Sequence, residues 1–311
     1  MNTNATGIAD RDTRFELVDQ ETLFADEITR KNIGFWADAV RRFKQNKIAV
    51  FFLVILVLLV LMSFLGPIIS GKDYITIVGS LKNQSPSGEF WFGTDSMGRD
   101  MFARSWVGLR TSLTIAIVAA VVQLVVGCFY GAIMGTVGGI VDEVMMRIVE
   151  IISSVPNLIL TSLLLVVFGN GYPQLLFALS ITAWTGTARL VRGQILKLRE
   201  SEYVLASKAL GGSNMHRIVK HLLPNTIGLL ILELASSIPG IIFSETSLSF
   251  LGIGLQPPNF SLGSMLSQGQ TAMAHYPYQL VIPCALLSLL VLSFNIVGDA
   301  LRDALDPQLR N

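Results

Sequence analysis

The sequence predicts an all-α integral membrane protein with six transmembrane helices. Three observations carry this expectation. Hydrophobic residues make up 51% of the 311-residue chain and charged residues only 14%, against about 25% charged in soluble domains. The deficit is concentrated: residues 48–66, 111–141, 151–188 and 246–298 hold no Asp, Glu, Lys or Arg. A helix crosses the hydrocarbon core in about 20 apolar residues. The longer runs therefore hold one or two spans each, and they are too uniform for the amphipathic segments of a soluble core.

Glycine and proline divide the runs. The first span covers residues 48–66 and is closed by Pro67. It lies behind a long charged segment, so it reads as a retained span and not as a cleaved signal peptide. The second covers residues 112–136, ahead of Gly138-Gly139 and the acidic pair Asp142-Glu143. The third, residues 148–168, contains Pro156 as a kink and ends in the turn-forming Gly169-Asn170-Gly171-Tyr172-Pro173. The fourth, fifth and sixth cover residues 174–190, 226–244 and 278–298.

Lys and Arg set the orientation, because cytoplasmic flanks carry their excess. With the N-terminus inside, eighteen of the 23 fall inside, and Lys72, Lys82, Arg99, Arg104 and Arg110 fall outside. Residues 1–47 and 302–311 are then cytoplasmic tails, 67–110 an extracytoplasmic segment and 111–301 a five-helix core. Such a chain is expected to be a multi-pass membrane protein with both termini cytoplasmic. The net charge of +1 gives no reason to expect a nucleic acid partner. Cys128 and Cys284 have neither metal-ligand nor disulfide spacing and read as buried thiols.

The loop between the fourth and fifth spans, residues 201–224, is patterned. Ser201 can cap a short helix that opens with Glu202 and Tyr203 and runs through Leu205, Ala206, Ser207, Ala209 and Leu210. Gly211 supplies the left-handed residue that ends it, so Gly212→Ala is expected to be milder than a substitution of Gly211. Ser213 can cap a second helix, whose Met215, Ile218, Val219 and Leu222 form one apolar stripe. Leu223-Pro224 marks the entry to the fifth span. Two readings stay open on these grounds: a socket for a partner protein, and an amphipathic hairpin lying on lipid headgroups.

Leu205-Ala206-Ser207, Gly211 and Leu223-Pro224 resemble the "EAA" loop of permease subunits of binding-protein-dependent ABC importers. The Gly and Leu-Pro spacings match that pattern, while Leu205 stands where it has Glu and His221 where it has Ile. Phe92-Gly93-Thr94-Asp95-Ser96-Met97-Gly98-Arg99-Asp100 is similar to the segment ahead of the second span in C-type permeases of oligopeptide and dipeptide importers. Ala188–Gln194, Glu202-Tyr203-Val204, His221–Asn225 and Glu245–Gly252 with Gln256-Pro257-Pro258 extend the resemblance, in order, from about residue 35 to the C-terminus. It implies the type I importer permease fold, with loop 201–224 as a coupling helix seated on an ATPase subunit. The cargo it implies is a peptide, although nickel and glutathione importers share the subfamily.

Single residues invite two readings each. Glu233, inside the fifth span, is a pathway-lining candidate because a bare intramembrane charge is costly; a protonated or structurally paired carboxylate is the plainer reading. Pro156 can line a cavity through its kink. Glu245 is expected to orient the Ser-Leu-Ser-Phe-Leu-Gly segment that comes after it. Asp95, Arg99 and Asp100 form either a salt-bridged turn on the membrane surface or a contact for a solute-binding protein. The outer loop 253–277, free of Lys and Arg, is a candidate re-entrant gate.

No phosphate-binding loop, His-Glu-x-x-His or Gly-x-Ser-x-Gly pattern is present, so catalytic and metal sites are not expected. The resemblance therefore places ATP and Mg on two separate ATP-binding subunits. It adds a second, homologous permease and an extracytoplasmic solute-binding protein as partners, with no cofactor on this chain. A secondary transporter would show an inverted repeat, and a membrane-embedded enzyme would cluster ionisable residues within its spans; neither pattern is seen.

Overall fold

The computed structural model of the chain describes residues 34–305. Both tail ends, residues 1–33 and 306–311, lie outside the described residues. The chain divides into two units, residues 1–38 and 39–311. The first contributes the opening turn of α1 (Phe35–Gln45), and all later elements lie in the second.

Among the described residues every regular element is a helix, apart from one isolated bridge between Thr94 and Asp100. The long elements are α2 (Lys47–Ser70), α3 (Met101–Val137), α4 (Gly139–Ser154), α5 (Asn157–Phe168) and α6 (Tyr172–Leu198). After them come α7 (Glu202–Ala209), α8 (Asn214–Arg217), a π-turn (Ile218–Leu222), α9 (Leu223–Phe250), α10 (Leu262–Ala272) and α11 (Tyr278–Leu305). Four helical runs are long and apolar enough to cross a membrane: α2, α3, the continuous run Asn214–Phe250, and α11. The bent pair α4–α5 makes five.

The expected span that falls outside this set is the fourth, α6. It has 27 residues, but its middle reads Thr182-Ala183-Trp184-Thr185-Gly186-Thr187, and those hydroxyls leave it less apolar than the others. The third expected span is two helices rather than one. α4 and α5 meet at 86° across Val155 and Pro156. Val155 is extended (φ −93°, ψ 129°), as the residue before a proline prefers, and Pro156 brings no N–H to continue the ladder.

α3 is the central element. Its 37 residues reach about 55 Å at 1.5 Å per residue. Leu109, Leu113, Ile115 and Ala119 join Leu175 and Leu179 of α6 and Ile241, Ile242 and Leu248 of α9 in one buried cluster. Farther along, Gly127, Gly131 and Gly135 form a ridge of small residues at i, i+4, i+8, which lets helix backbones approach closely. A Cβ at Gly131 would lie 2.3 Å from the Ala188 carbonyl oxygen of α6, and one at Gly135 2.8 Å from Ile195 Cβ. Beyond the ridge, Arg192 of α6 grips Asp142 of α4 with both Nε and Nη2 at 2.6 Å.

The outer loop 253–277 contains α10, capped reciprocally by Ser261 and Ser264, with Leu262, Met265 and Leu266 buried. One further expectation is corrected. Cys128 is buried as expected, but Cys284 is exposed, because it faces outward from α11 and not into the bundle.

Candidate functional site

Loop 201–224 folds as two helices about a left-handed residue. α7 runs Glu202–Ala209, and Gly211 has φ +82°. The Gly212 N–H donates to the Ser207 carbonyl at 2.9 Å and the Gly211 N–H to the Lys208 carbonyl at 3.1 Å, the paired bonds of a Schellman stop. Ser213 accepts from the His216 N–H at 3.2 Å and caps α8. Ser201 occupies the cap position of α7 but does not cap it; its hydroxyl donates backward to the Leu198 carbonyl at 2.5 Å.

The expected single stripe on the second helix is split. Ile218 and Leu222 are buried, whereas Met215 and Val219 are about half exposed. The π-turn Ile218–Leu222 accounts for this, since its i→i+5 bonding puts more residues in a turn and shifts the phase of the side chains. Pro224 accounts for the π-turn: an α-helical turn would press its ring against the Lys220 carbonyl, and widening the turn relieves the clash. Helix α8 therefore continues through the π-turn into α9 as one run, and Leu223-Pro224 opens the fifth span, as expected, without separating it from the second helix.

On α7 only Val204 is buried; it packs with Ala132, Val191, Ile195, Ile218 and Leu222. Tyr203, Leu205 and Leu210 are exposed at 43%, 50% and 89%, with Glu202, Ala206 and Ala209 beside them and Ser207 half-buried. α7 is thus anchored by one apolar residue and turns the rest of its apolar surface outward.

Glu233 and Pro156 line the same cleft, of about 550 Å³. Its walls are the α4–α5 break, the hydroxyl-rich middle of α6 and the middle of α9. The Gln123 side-chain amide donates to the Thr187 hydroxyl at 3.1 Å, and that hydroxyl donates to the Glu233 carboxylate at 3.1 Å. One carboxylate is thereby tied across α3, α6 and α9 while still facing the cleft. Arg189 lines it too and donates to the Ser153 hydroxyl at 3.3 Å. Gln123 and Arg189 are not foreseeable as cleft residues from the sequence, because the cleft they line is opened by the α4–α5 break.

The turn ahead of α3 is buried instead of lying on a surface. Asp95, Arg99 and Asp100 are 4%, 8% and 3% exposed. Asp95 accepts from Arg99 Nε at 2.8 Å and from the Met97 and Arg99 N–H groups. Asp100 caps α3 at the Ala103 N–H and accepts the Ser70 hydroxyl at 2.7 Å. Of this turn, Ser96 and Met97 are the exposed side chains. Nearby, Asp73 is fully exposed, and its carboxyl is held below the usual carboxylate range by the Thr76 hydroxyl and the Ile75 N–H.

Glu245 is fully buried. It accepts from the Ser112 hydroxyl of α3 at 2.9 Å and from the Ser249 hydroxyl at 2.8 Å. It therefore orients the segment after it.

A helical bundle with a polar cleft between its long helices, and an outward apolar loop continuous with one of them, fits one class of protein: a membrane permease subunit. Residues 127–311 match the family described as binding-protein-dependent transport system inner membrane component. Residues 34–86 match the N-terminal TM domain of oligopeptide transport permease C. The chain is 43% identical to the oligopeptide transport system permease protein OppC of Bacillus subtilis, over 92% of this chain and 94% of that one. It is 41% identical to the dipeptide transport system permease protein DppC of the same organism, over 96% and 94%. To OppC of Escherichia coli K12 it is 40% identical, over 93% and 97%. Among solved structures, the MetNI methionine ABC transporter in an inward-facing conformation shares the fold, with a TM-score of 0.53 and 21% identity over 63% of this chain and 94% of that one. The chain belongs to the family of binding-protein-dependent transport system inner membrane components, with the type I ABC importer permease fold.

Proposed function

We propose that the chain is a permease subunit of an ATP-driven importer and forms half of the translocation pathway for oligopeptides or dipeptides. The observation that carries this reading is the α7–α9 lever. An exposed apolar helix is fixed by a Schellman stop to a helical run that continues, without a break, to the carboxylate facing the cleft. A partner that moves α7 moves the wall containing Glu233. One of two ATP-binding subunits would sit on Tyr203, Leu205, Ala206, Ala209 and Leu210, with ATP and Mg bound on those subunits and not on this chain. A second, homologous permease would complete the pathway. A solute-binding protein would dock at the opposite end, near the turn that holds Asp95, Arg99 and Asp100, and would meet Ser96 and Met97 directly. Both termini would be cytoplasmic in a bacterial inner membrane.

Uptake by the reconstituted complex tests this reading. If Glu233 lines the path, Glu233→Gln leaves the yield of assembled complex unchanged and alters peptide uptake by about tenfold, the worth of roughly 1.4 kcal/mol. A lower yield with proportionate uptake would make the carboxylate a structural tie to Thr187. Normal uptake and normal yield would remove both roles.

Topology is tested separately, in a background without Cys284. A cysteine at Gly171 or Asn259 reacts with an impermeant thiol reagent added to intact cells, and one at Ser213 does not. Labelling at position 213 from outside would overturn the orientation.

A further inference from the structure

We propose that a second cavity, at the N-terminal end of α3 and separate from the Glu233 cleft, is a carboxylate-binding site that takes a carboxylate beside an apolar group, as at the C-terminal end of a short peptide. The peptide in this statement rests on the function proposed above; the site does not. The cavity is about 430 Å³, within the range of about 300–1,000 Å³ usual for small-molecule pockets. Its only charged lining residues are Arg99 and Arg104, which are 8% and 2% exposed. One carboxylate, Asp95, lies behind both: it takes Arg99 Nε at 2.8 Å and stands 3.4 Å from Arg104 Nε. Asp100 is committed to the α3 cap and to Ser70. Two guanidiniums therefore share one nearby acid at the positive end of a long helix.

Their donors are largely unspent. Each guanidinium carries five N–H groups. Arg99 uses Nε on Asp95 and Nη2 on Gln268 at 3.3 Å, and Arg104 uses Nη1 on the Tyr74 carbonyl at 3.0 Å. Arg104 Nε faces the Asp95 carboxylate at 3.4 Å without a hydrogen bond, so the Nη groups of both arginines are the ones left for a ligand. Arg104 is also fixed in place, its guanidinium carbon 4.0 Å from the Phe260 ring centroid. A carboxylate is the group that matches this planar fork. Ile75, Ile77 and Leu255 give the apolar neighbour its wall.

The test uses the assembled transporter without binding protein or nucleotide. Ile77→Cys at the rim, combined with Cys284→Ser, reports occupancy through its rate of reaction with a thiol reagent. N-acetyl-leucine should slow that rate with a saturable dose dependence, and N-acetyl-leucinamide should not. Arg99→Gln should raise the acid concentration needed about tenfold, the loss of one charge-assisted hydrogen bond. Arg99→Lys keeps the charge beside Asp95 but loses the fork, so it should weaken protection even where Arg99→Gln fails to fold. Equal protection by acid and amide, or none by either, would overturn the site. Uptake of a tripeptide and its C-terminal amide by the complete transporter then distinguishes sources: an Arg99→Lys defect confined to the acid assigns the carboxylate to the solute, and an equal defect assigns it to the binding protein. Absence of ATP-dependent uptake by the unaltered complex would count against the importer reading, leaving the protection result standing.

Discussion

Gly211→Val is expected to abolish transport while leaving membrane insertion intact. Position 211 has φ +82°, where a β-branched residue is strained by about 1–2 kcal/mol. A Cβ there would meet nothing within 4 Å, so the effect is purely conformational. The chain relieves the strain by opening the Schellman stop, which releases the Ser207 and Lys208 carbonyls and lets α7 rotate on its one anchor, Val204. Leu205 and Leu210 then leave the position in which a partner would meet them. Gly212→Ala, expected from the sequence to be mild, belongs in the same class. Its Cβ would stand 2.7 Å from the Ser207 carbonyl oxygen, the same oxygen that accepts the Gly212 N–H, so relief of the clash breaks the cap. ATP-driven uptake and association of the ATP-binding subunits, measured for both variants at matched membrane levels, check this expectation. Wild-type values in Gly211→Val would reduce the loop to a surface hairpin.

Gly131→Leu is expected to be more severe, with loss of the folded subunit itself. The first atom of the new side chain would sit 2.3 Å from a backbone carbonyl oxygen, that of Ala188, which no side-chain rotation can move. α3 and α6 would have to separate, and Thr187 rides on α6 next to that contact. Overpacking of a well-filled core costs about 1–3 kcal/mol where side chains can shift; here a backbone must, so the cost exceeds that range. Little assembled complex should survive detergent extraction. Gly139→Ala serves as a control for overpacking, because a Cβ there has nothing within 4 Å, although its φ of +58° adds local strain.

Much of this fold is legible in the sequence because the bilayer demands long uncharged runs, and Gly and Pro mark where they end. Gly211 as a left-handed stop and Ser213 as a cap are equally local, and both are found where expected. What escapes depends on non-local geometry or on competition between local signals. Pro156 is compatible with a kink or a break, and only the surrounding helices select the 86° break that opens the cleft. Pro224 suggests a helix start, but a π-turn accommodates the ring and keeps α8 and α9 in one run. The Asp95–Arg99–Asp100 turn reads as a surface feature by composition, yet it folds inward because Arg104, Ser70 and Tyr74 converge on it. The Gly127–Gly131–Gly135 spacing is a legible helix-packing signal that span boundaries alone do not use. The Arg192–Asp142 bridge is not legible, since fifty residues separate its partners.

The central claim is that the exposed face of α7 docks an ATP-binding subunit and drives the helical run carrying Glu233. The most direct measurement places a photoreactive amino acid at Leu210, which is 89% exposed, in the complete complex in its native membrane. Irradiation should yield one major adduct with an ATP-binding subunit, and its yield should change when nucleotide is added. Adducts with lipid alone, or with no ATP-binding subunit, would contradict the claim.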